Sequence, residues 1–170
     1  HDVRFDPEER MATIAAEGVN VLCMAPTEYR VIARRLQLEK IASLRQCVSA
    51  GEALNAEIFK NWRDGLGVDI HDGYGQTETG AITAVRPGDP IKPGSMGKPL
   101  PGIDASLVRR REGGGVEQVV AVDVEGELAL RVGWPSMFRG YLGQEARYRE
   151  CFAGDHYLTG DLVRRDADGY

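Results

Sequence analysis

The chain is 170 residues long, enough for about one compact domain or two small subdomains with a real core. Its 42% apolar and 28% charged residues exclude a low-complexity disordered segment, a collagen-like repeat and a coiled coil. With 21 Lys plus Arg against 26 Asp plus Glu the net charge is −5, so the overall positive field that nonspecific nucleic-acid binding draws on is absent.

The amino terminus reads as an α/β pattern. Asp6-Pro7-Glu8-Glu9 supplies an N-cap, a proline at the first helical position and a capping-box glutamate, followed by Met11, Ile14 and Ala15 on one face and Gly18 as the stop. The apolar run Val19 to Met24 predicts a buried strand, and Pro26 opens a helix carrying Tyr29, Ile32, Ala33 and Leu36. Leu44 to Ser49 predicts a second strand. Asn55 then caps a helix with Ile58, Phe59 and Trp62 on one face, which Gly65 and Gly67 close, and Val68 to His71 predicts a third strand. Strands separated by helices argue for a mostly parallel sheet over residues 1–86. Five prolines and four glycines between Pro87 and Gly102 mark a joint, residues 87–102. Over 103–170 the grammar changes to alternating segments, Ile103-Ala105-Leu107 and Leu128-Leu130-Val132, around a Gly113-Gly114-Gly115 turn, with one helical hint at Gln144 to Glu150. The expected fold class is therefore α/β, with a small antiparallel, barrel-like β subdomain after the parallel one.

No apolar run approaches the roughly 18 residues of a membrane helix, and His1-Asp2-Val3-Arg4 does not read as a signal peptide. Cys23, Cys47 and Cys151 are far apart and form no CxxC, which predicts free thiols in a reducing, cytoplasmic compartment. The chain opens without Met and stops at the turn Asp168-Gly169-Tyr170, as an excised piece of a longer protein would.

Three loops could carry chemistry. The densest is Asp72-Gly73-Tyr74-Gly75-Gln76-Thr77-Glu78-Thr79-Gly80, expected beyond the carboxyl end of the third strand, where open α/β sheets bind ligands. Gly73 and Gly75 expose backbone N–H groups, Tyr74 offers a ring to a base, Thr77 a hydroxyl to a phosphate and Glu78 a hard oxygen to Mg2+. An ordinary Gly/Thr-rich turn with Tyr74 in the core is the alternative. The second loop is Ser49-Ala50-Gly51-Glu52-Ala53-Leu54, small enough for close main-chain approach to a base, or simply a strand-to-helix turn with Glu52 and Asn55 as caps. In the third, Tyr157-Leu158-Thr159-Gly160-Asp161, a strand-like run ends in a carboxylate that can accept two hydrogen bonds from a ribose diol, or that is a solvated turn residue.

Other residues carry less. His1, His71 and His156 have no partner at metal-ligand spacing, Cys151 and His156 lack a third orienting group, and Arg109-Arg110-Arg111-Glu112 reads as a solvated hairpin end.

In order and spacing, Tyr74-Gly75-Gln76-Thr77-Glu78 resembles the Y-G-x-T-E motif of the adenylate-forming superfamily of acyl-CoA synthetases, adenylation domains and luciferases. Gly126-Glu127-Leu128 resembles its G-E-L strand and Tyr157-Leu158-Thr159-Gly160-Asp161 its Y-x-T-G-D. Val48 to Glu52, Gly73 to Glu78 and Ile91 to Pro99 are similar to the medium-chain acyl-CoA synthetase branch. The resemblance implies a ligase of fatty acid metabolism that joins a small-molecule carboxylic acid to ATP as an acyl-adenylate and passes the acyl group to coenzyme A. It assigns Gly51, Glu52, Ala53, Asp72, Gly73 and Tyr74 to the adenine edge, with Gly75 and Gln76 in the same nucleotide loop. Thr77 falls to the α-phosphate and acyl carboxylate, Glu78 to Mg2+ and Asp161 to the ribose hydroxyls, so that Thr77 and Glu78 are the catalytic pair. The acid pocket would be lined in part by Ala50, Gly51, Tyr74 and Gly80.

The family's Ser/Thr/Gly-rich phosphate loop has no counterpart, and none of Lys40, Lys60, Lys92 and Lys98 sits in such a loop. Asp166 to Tyr170 resembles the approach to an arginine, a hinge and a C-terminal domain bearing the adenylation lysine. The expectation is a portion of the N-terminal AMP-binding domain, inactive alone and completed by an N-terminal segment and a C-terminal domain of its own chain. The alternatives are a noncatalytic nucleotide-binding or interaction module, and an adenylation domain that loads a carrier-protein thiol.

Overall fold

The structure, a computed structural model, describes residues 5–52 and 54–170; His1 and Ala53 lie outside the described residues. The chain divides into two units. The first comprises residues up to Gly75 together with Thr83–Gly97, and the second comprises Gln76–Ile82 with Lys98–Tyr170.

In the first unit helix α1 (Pro7–Ala16) begins as its sequence dictates, with the Asp6 carboxylate accepting from the Glu9 N–H at 2.9 Å. Strand β1 (Val21–Met24) follows, then α2 (Pro26–Arg35), β2 (Gln46–Ala50), α3 (Ala56–Leu66) and β3 (Ile70–Gln76). Asn55 caps α3 through the Glu57 N–H, and Gly67, at φ 69°, ends it in the left-handed region. Strands β1 and β2 pair in parallel, Val21 opposite Gln46, and β2 pairs in parallel with β3, Ser49 opposite Asp72. The core between this sheet and its helices is apolar. Tyr29, Ile32, Cys47, Trp62 and Ile70 are fully buried. Rings of Tyr29 and Trp62 meet edge to face with centroids 4.7 Å apart, and the Tyr29 hydroxyl lies 3.1 Å from the Leu22 carbonyl oxygen and 3.0 Å from that of Val48. One side chain thus ties β1 to β2 from within the core, and burial drives its phenol pKa upward.

Sequence and structure differ at particular places. Gly65 lies inside α3, where a Cβ would stand 2.5 Å from the Leu38 Cβ, so the glycine serves close packing. The segment Asp72 to Gln76, expected as a loop, is the second half of β3. It stays extended because the chain returns alongside it as β4 (Gly80–Ala84), an element the periodicity did not reveal, with the Val85 N–H donating to the Asp72 carbonyl at 2.8 Å. The Pro/Gly-rich joint also contains a short strand, β5 (Lys98–Pro99).

In the second unit, β6 (Ala105–Arg110), β7 (Val116–Gln118), β8 (Gly126–Arg131), β9 (Phe152–Ala153) and β10 (His156–Val163) form a curled antiparallel sheet in the order β7-β6-β8-β10-β9, half of a barrel. Helix α4 (Glu145–Glu150) precedes β9. Leu107, Leu128, Leu130 and Leu158 are buried along the sheet, and Phe138 packs against the rings of Tyr141, Tyr148, Phe152 and Tyr157. Asp161, expected at a strand end, lies within β10. The pairing of β10 with β8 shifts register between Leu158 and Leu162, and Gly160 sits there at φ 79°. A bulge therefore lifts Thr159-Gly160-Asp161 out of the ladder while the strand continues.

Candidate nucleotide site

The residues singled out by sequence fall into two groups, one in each unit. In the first unit the parallel pairing of β2 and β3 sets Ala50 beside Gly73, so Gly51 and Glu52, exposed at the end of β2, adjoin the strand carrying Asp72, Gly73, Tyr74 and Gly75. Gly51 has φ 102°, which an L side chain rarely adopts. Gly73 is needed for space, since a Cβ there would stand 3.1 Å from the Thr83 carbonyl oxygen. Asp72 is only 4% exposed, and its carboxylate accepts from the Gly73 N–H at 3.1 Å and from the Leu54 backbone. Burial nevertheless raises its pKa to about 6, and those two hydrogen bonds hold it back from rising further. Asp72 thereby ties the β2–α3 loop to β3. His71 is occupied otherwise, its Nδ1 lying 3.1 Å from the Val85 carbonyl oxygen.

The second unit holds Gln76, Thr77, Glu78 and Asp161. Thr77 is exposed at the turn between β3 and β4. The buried Thr79 fixes this turn: its hydroxyl accepts from the Gln76 N–H at 2.9 Å and donates to the Gly80 carbonyl at 2.8 Å. Trp134 Nε1 and Ser136 Oγ both donate to the Thr79 carbonyl, at 3.0 and 2.7 Å, and the Phe138 N–H donates to the Glu78 carbonyl at 2.8 Å. The Glu78 side chain is held as well. Tyr141 donates its hydroxyl proton to Glu78 Oε1 at 2.8 Å, and that bond comes first among the causes that push the phenol pKa up to about 12.

The bulge bearing Asp161 is fixed from three sides. Thr159 Oγ1 donates to the Leu128 carbonyl at 2.9 Å and accepts from the Asp161 N–H at 3.1 Å. Glu127 Oε1 accepts from the Gly160 N–H at 3.0 Å while its carboxylate holds Arg110 through two bonds of 2.7 Å. That pairing lowers the Glu127 pKa, the hydrogen bond from Arg110 being the largest cause. Arg110 lies exposed at the end of β6, the solvated hairpin end its sequence suggested, and is in addition paired with Glu127. Finally, Gln76 Nε2 donates to the Thr159 carbonyl at 3.0 Å and to Asp161 Oδ2 at 2.9 Å, and Gln76 Oε1 accepts from the Tyr157 hydroxyl at 2.8 Å. One amide therefore joins the Thr77–Glu78 turn to the Asp161 bulge, two stretches 85 residues apart in sequence.

Between turn and bulge opens a cleft of about 380 Å³, walled by Glu78, Tyr141, Arg147, Cys151, Tyr157 and Gly160. This is within the range of small-molecule sites, roughly 300 to 1,000 Å³. Sequence reading missed Tyr141, Glu127 and Tyr157 as supports, because their partners lie far off along the chain. The G-E-L motif was the one available signal for Glu127.

Residues 1–142 match the family described as AMP-binding enzyme. The chain belongs to this family. It is 37% identical, over 98% of its length, to the Bacillus subtilis protein named uncharacterized acyl-CoA ligase YtcI, and 37% identical over its whole length to the human mitochondrial acyl-coenzyme A synthetase ACSM3. It spans only 31% and 29% of those two proteins. Among solved structures, an anthranilate CoA ligase, AuaEII, in complex with anthranoyl-AMP superposes with a TM-score of 0.79 at 33% identity, over 96% of this chain and 31% of that one. ATP-bound MatB from Rhodopseudomonas palustris gives 0.85 at 26% identity, over 98% and 32%. The architecture of this AMP-binding chain is accordingly that of part of an adenylate-forming N-terminal domain. Among the described residues no helix is long and apolar enough to cross a membrane.

Proposed function

We propose that this chain is the adenosine-binding portion of an AMP-forming acid–thiol ligase, which activates a carboxylic acid with ATP and transfers the acyl group to coenzyme A. The observation that supports it most is the joining, by one side chain, of the Thr77–Glu78 turn to the Asp161 bulge beside a cleft of about 380 Å³. In this reading Gly51, Glu52, Asp72, Gly73 and Tyr74 border adenine, Asp161 accepts from the ribose hydroxyls and Thr77 donates to the α-phosphate. A fatty acid, and a reducing compartment such as the cytoplasm for the free thiols Cys23, Cys47 and Cys151, complete the proposal.

The chemistry asks little of the protein beyond placement. A carboxylate oxygen of the acid attacks the α-phosphorus, the bond to the bridging oxygen breaks and pyrophosphate leaves. The thiol of coenzyme A then forms the thioester while AMP departs and the thiol proton passes to solvent. The acid is its own nucleophile, so orientation and charge stabilisation supply the rate. Glu78 fits a Mg2+ partner: it is a hard oxygen donor whose Oε1 is fixed by Tyr141, and Oε2 makes no hydrogen bond among the described residues. No cluster of three or more His, Cys, Asp or Glu converges there, among the described residues, so the remaining ligands would be waters and substrate phosphates, the usual Mg2+ pattern. When bound, Mg2+ neutralises phosphate charge.

Pyrophosphate release by the full-length protein with acids of increasing chain length tests the activity. Asp161→Ala is expected to weaken ATP binding by about 1.5–3 kcal/mol, the scale of hydrogen bonds to a charged acceptor. Unchanged ATP affinity by titration calorimetry would sink the assignment.

A further inference from the structure

We propose that Arg110 and Arg147 form a phosphate-binding subsite on the cleft wall, which takes the pyrophosphate end of ATP beside a cation held at Glu78. The inference rests on the nucleotide reading of the cleft and adds the side chains that meet the phosphates.

Each guanidinium is held by one part of its surface and keeps another for a ligand. Arg110 donates from Nε and Nη2 to the Glu127 carboxylate, both at 2.7 Å, and Nη1, on the other side of the fork, makes no hydrogen bond among the described residues. Its anchor is firm, because Glu127 is 8% exposed and also accepts from the Gly160 N–H at 3.0 Å. Arg147 lies over the Tyr141 ring, its Cζ 4.4 Å from the centroid. The bond from its Nη1 to Gln144 Oε1 is long, at 3.4 Å, and no carboxylate pairs with Arg147 among the described residues. A ring contact uses the face of a guanidinium and leaves the in-plane N–H groups at its rim to an acceptor. Both side chains wall the same cleft.

The rest of the wall selects the ligand class. Arg110 and Arg147 face Glu78 and Glu150 there, so the wall by itself is neutral, and a divalent cation at Glu78 turns it positive. An anion is therefore favoured together with the metal it carries, as in a metal–phosphate complex. Among the described residues Leu158 is the only aliphatic side chain on the wall, and it is 6% exposed, so an acyl chain finds no apolar bed. The Tyr141 ring meets Arg147 and Phe138, and Tyr157 is 3% exposed, so neither offers a base a platform. What remains is a group with several anionic oxygens, the partner that planar N–H forks match best.

The test titrates inorganic pyrophosphate into the full-length protein by calorimetry, with Mg2+ and with a chelator, so that binding is read apart from turnover. Pyrophosphate should bind with Mg2+ and about tenfold more weakly without it. Arg147→Gln, at an exposed helix position, is expected to weaken that binding about five- to tenfold, and Arg147→Lys, which keeps the charge and loses the fork, about two- to threefold. AMP, which lacks the pyrophosphate, should bind Arg147→Gln with an affinity changed by less than about twofold. Arg110→Gln should resemble Arg147→Gln, and the Arg147 pair of variants carries the test if the unpaired Glu127 prevents that protein from folding. Pyrophosphate affinity unchanged in Arg147→Gln, or AMP and pyrophosphate weakened alike, would overturn the subsite. A preference for coenzyme A over its 3′-dephospho form that narrows in Arg147→Gln, with pyrophosphate affinity intact, would give the guanidiniums to the coenzyme instead and also overturn it. If the wild-type protein releases pyrophosphate with no acid yet binds pyrophosphate in this Arg147-dependent way, the proposed function fails and the subsite stands.

Discussion

The first unit places its candidate residues with apolar packing, and the second does so with polar side chains. Around β2 and β3 the fully buried Tyr29, Ile32, Trp62 and Ile70 hold regular parallel strands, and the loop residues simply follow where those strands end. Around β10 the strand is irregular, and Gln76, Glu127 and Thr159 hold the bulge through directed hydrogen bonds. Nondirectional burial tolerates repacking at the expense of stability, whereas a directed network fails when one donor or acceptor is exchanged. Substitutions in the first unit should therefore be read in folding, and those in the second in ligand selectivity.

The largest expected effect is in the apolar core. Trp62→Ala removes a fully buried ring, its edge-to-face contact with Tyr29 and the bond from Nε1 to the Tyr29 carbonyl at 3.4 Å. Such truncations cost about 3–5 kcal/mol. Hydrogen exchange resolved by segment should show deprotection of α2, β1 and β2, with β6 and β8 unaffected. Deprotection of both sheets alike would break the distinction between the units.

Two carboxylates sharpen the contrast because they respond to pH in opposite directions. Asp72, in the first unit, has a pKa raised from 3.8 to about 6, so folding takes up a proton between those values. Its favourable contribution is complete below the lower value and is lost as pH rises through about 6. Asp72→Asn should therefore raise stability at pH 7, by on the order of 2–3 kcal/mol, and remove that decline. Glu127, in the second unit, has a pKa lowered from 4.5, chiefly by the hydrogen bond from Arg110. Its contribution is present above the ordinary value and is lost as pH falls through the lowered one. Glu127→Gln should cost only about 1 kcal/mol at pH 7, since the Arg110 partner is well exposed to solvent. Unfolding curves from pH 4 to 8, followed by segment-resolved exchange, distinguish the two; parallel pH profiles would refute the assigned directions.

The same contrast decides what the sequence discloses. Asp6, Asn55 and Gly67 announce helix ends because caps act within a few residues, and all three act as expected. The strand status of Asp72 to Gln76 was hidden because its glycines and polar residues imitate a loop, and only the return of the chain as β4 reveals it. Gly160 and Asp161 looked like a strand end because a bulge and a turn share their residue types. Gln76 stood in plain sight within the motif, yet its partners Tyr157, Thr159 and Asp161 lie more than 80 residues away. Local spacing carries the turn. The pairing that gives the turn its purpose is a property of the fold.

The smallest expected effect lies at Tyr141. Its hydroxyl donates to Glu78 Oε1, and because this bond, first among several causes, pushes the phenol pKa up to about 12, the group remains a protonated donor throughout the neutral range. Tyr141→Phe removes that donor while leaving the ring against Phe138, at 5.1 Å, and the Arg147 guanidinium over the ring, at 4.4 Å. The site is partly open to water, which can replace the lost donor, so the cost should be near 0.5–1 kcal/mol. If the bond serves to steady Glu78 for a cation, the loss should appear as an increase of about two- to fivefold in the Mg2+ concentration giving half-maximal pyrophosphate release, with the unfolding midpoint unchanged. A shifted unfolding midpoint with an unaltered Mg2+ requirement would place Tyr141 with the packing residues of the first unit in kind, and the polar network of the second would then end at Gln76.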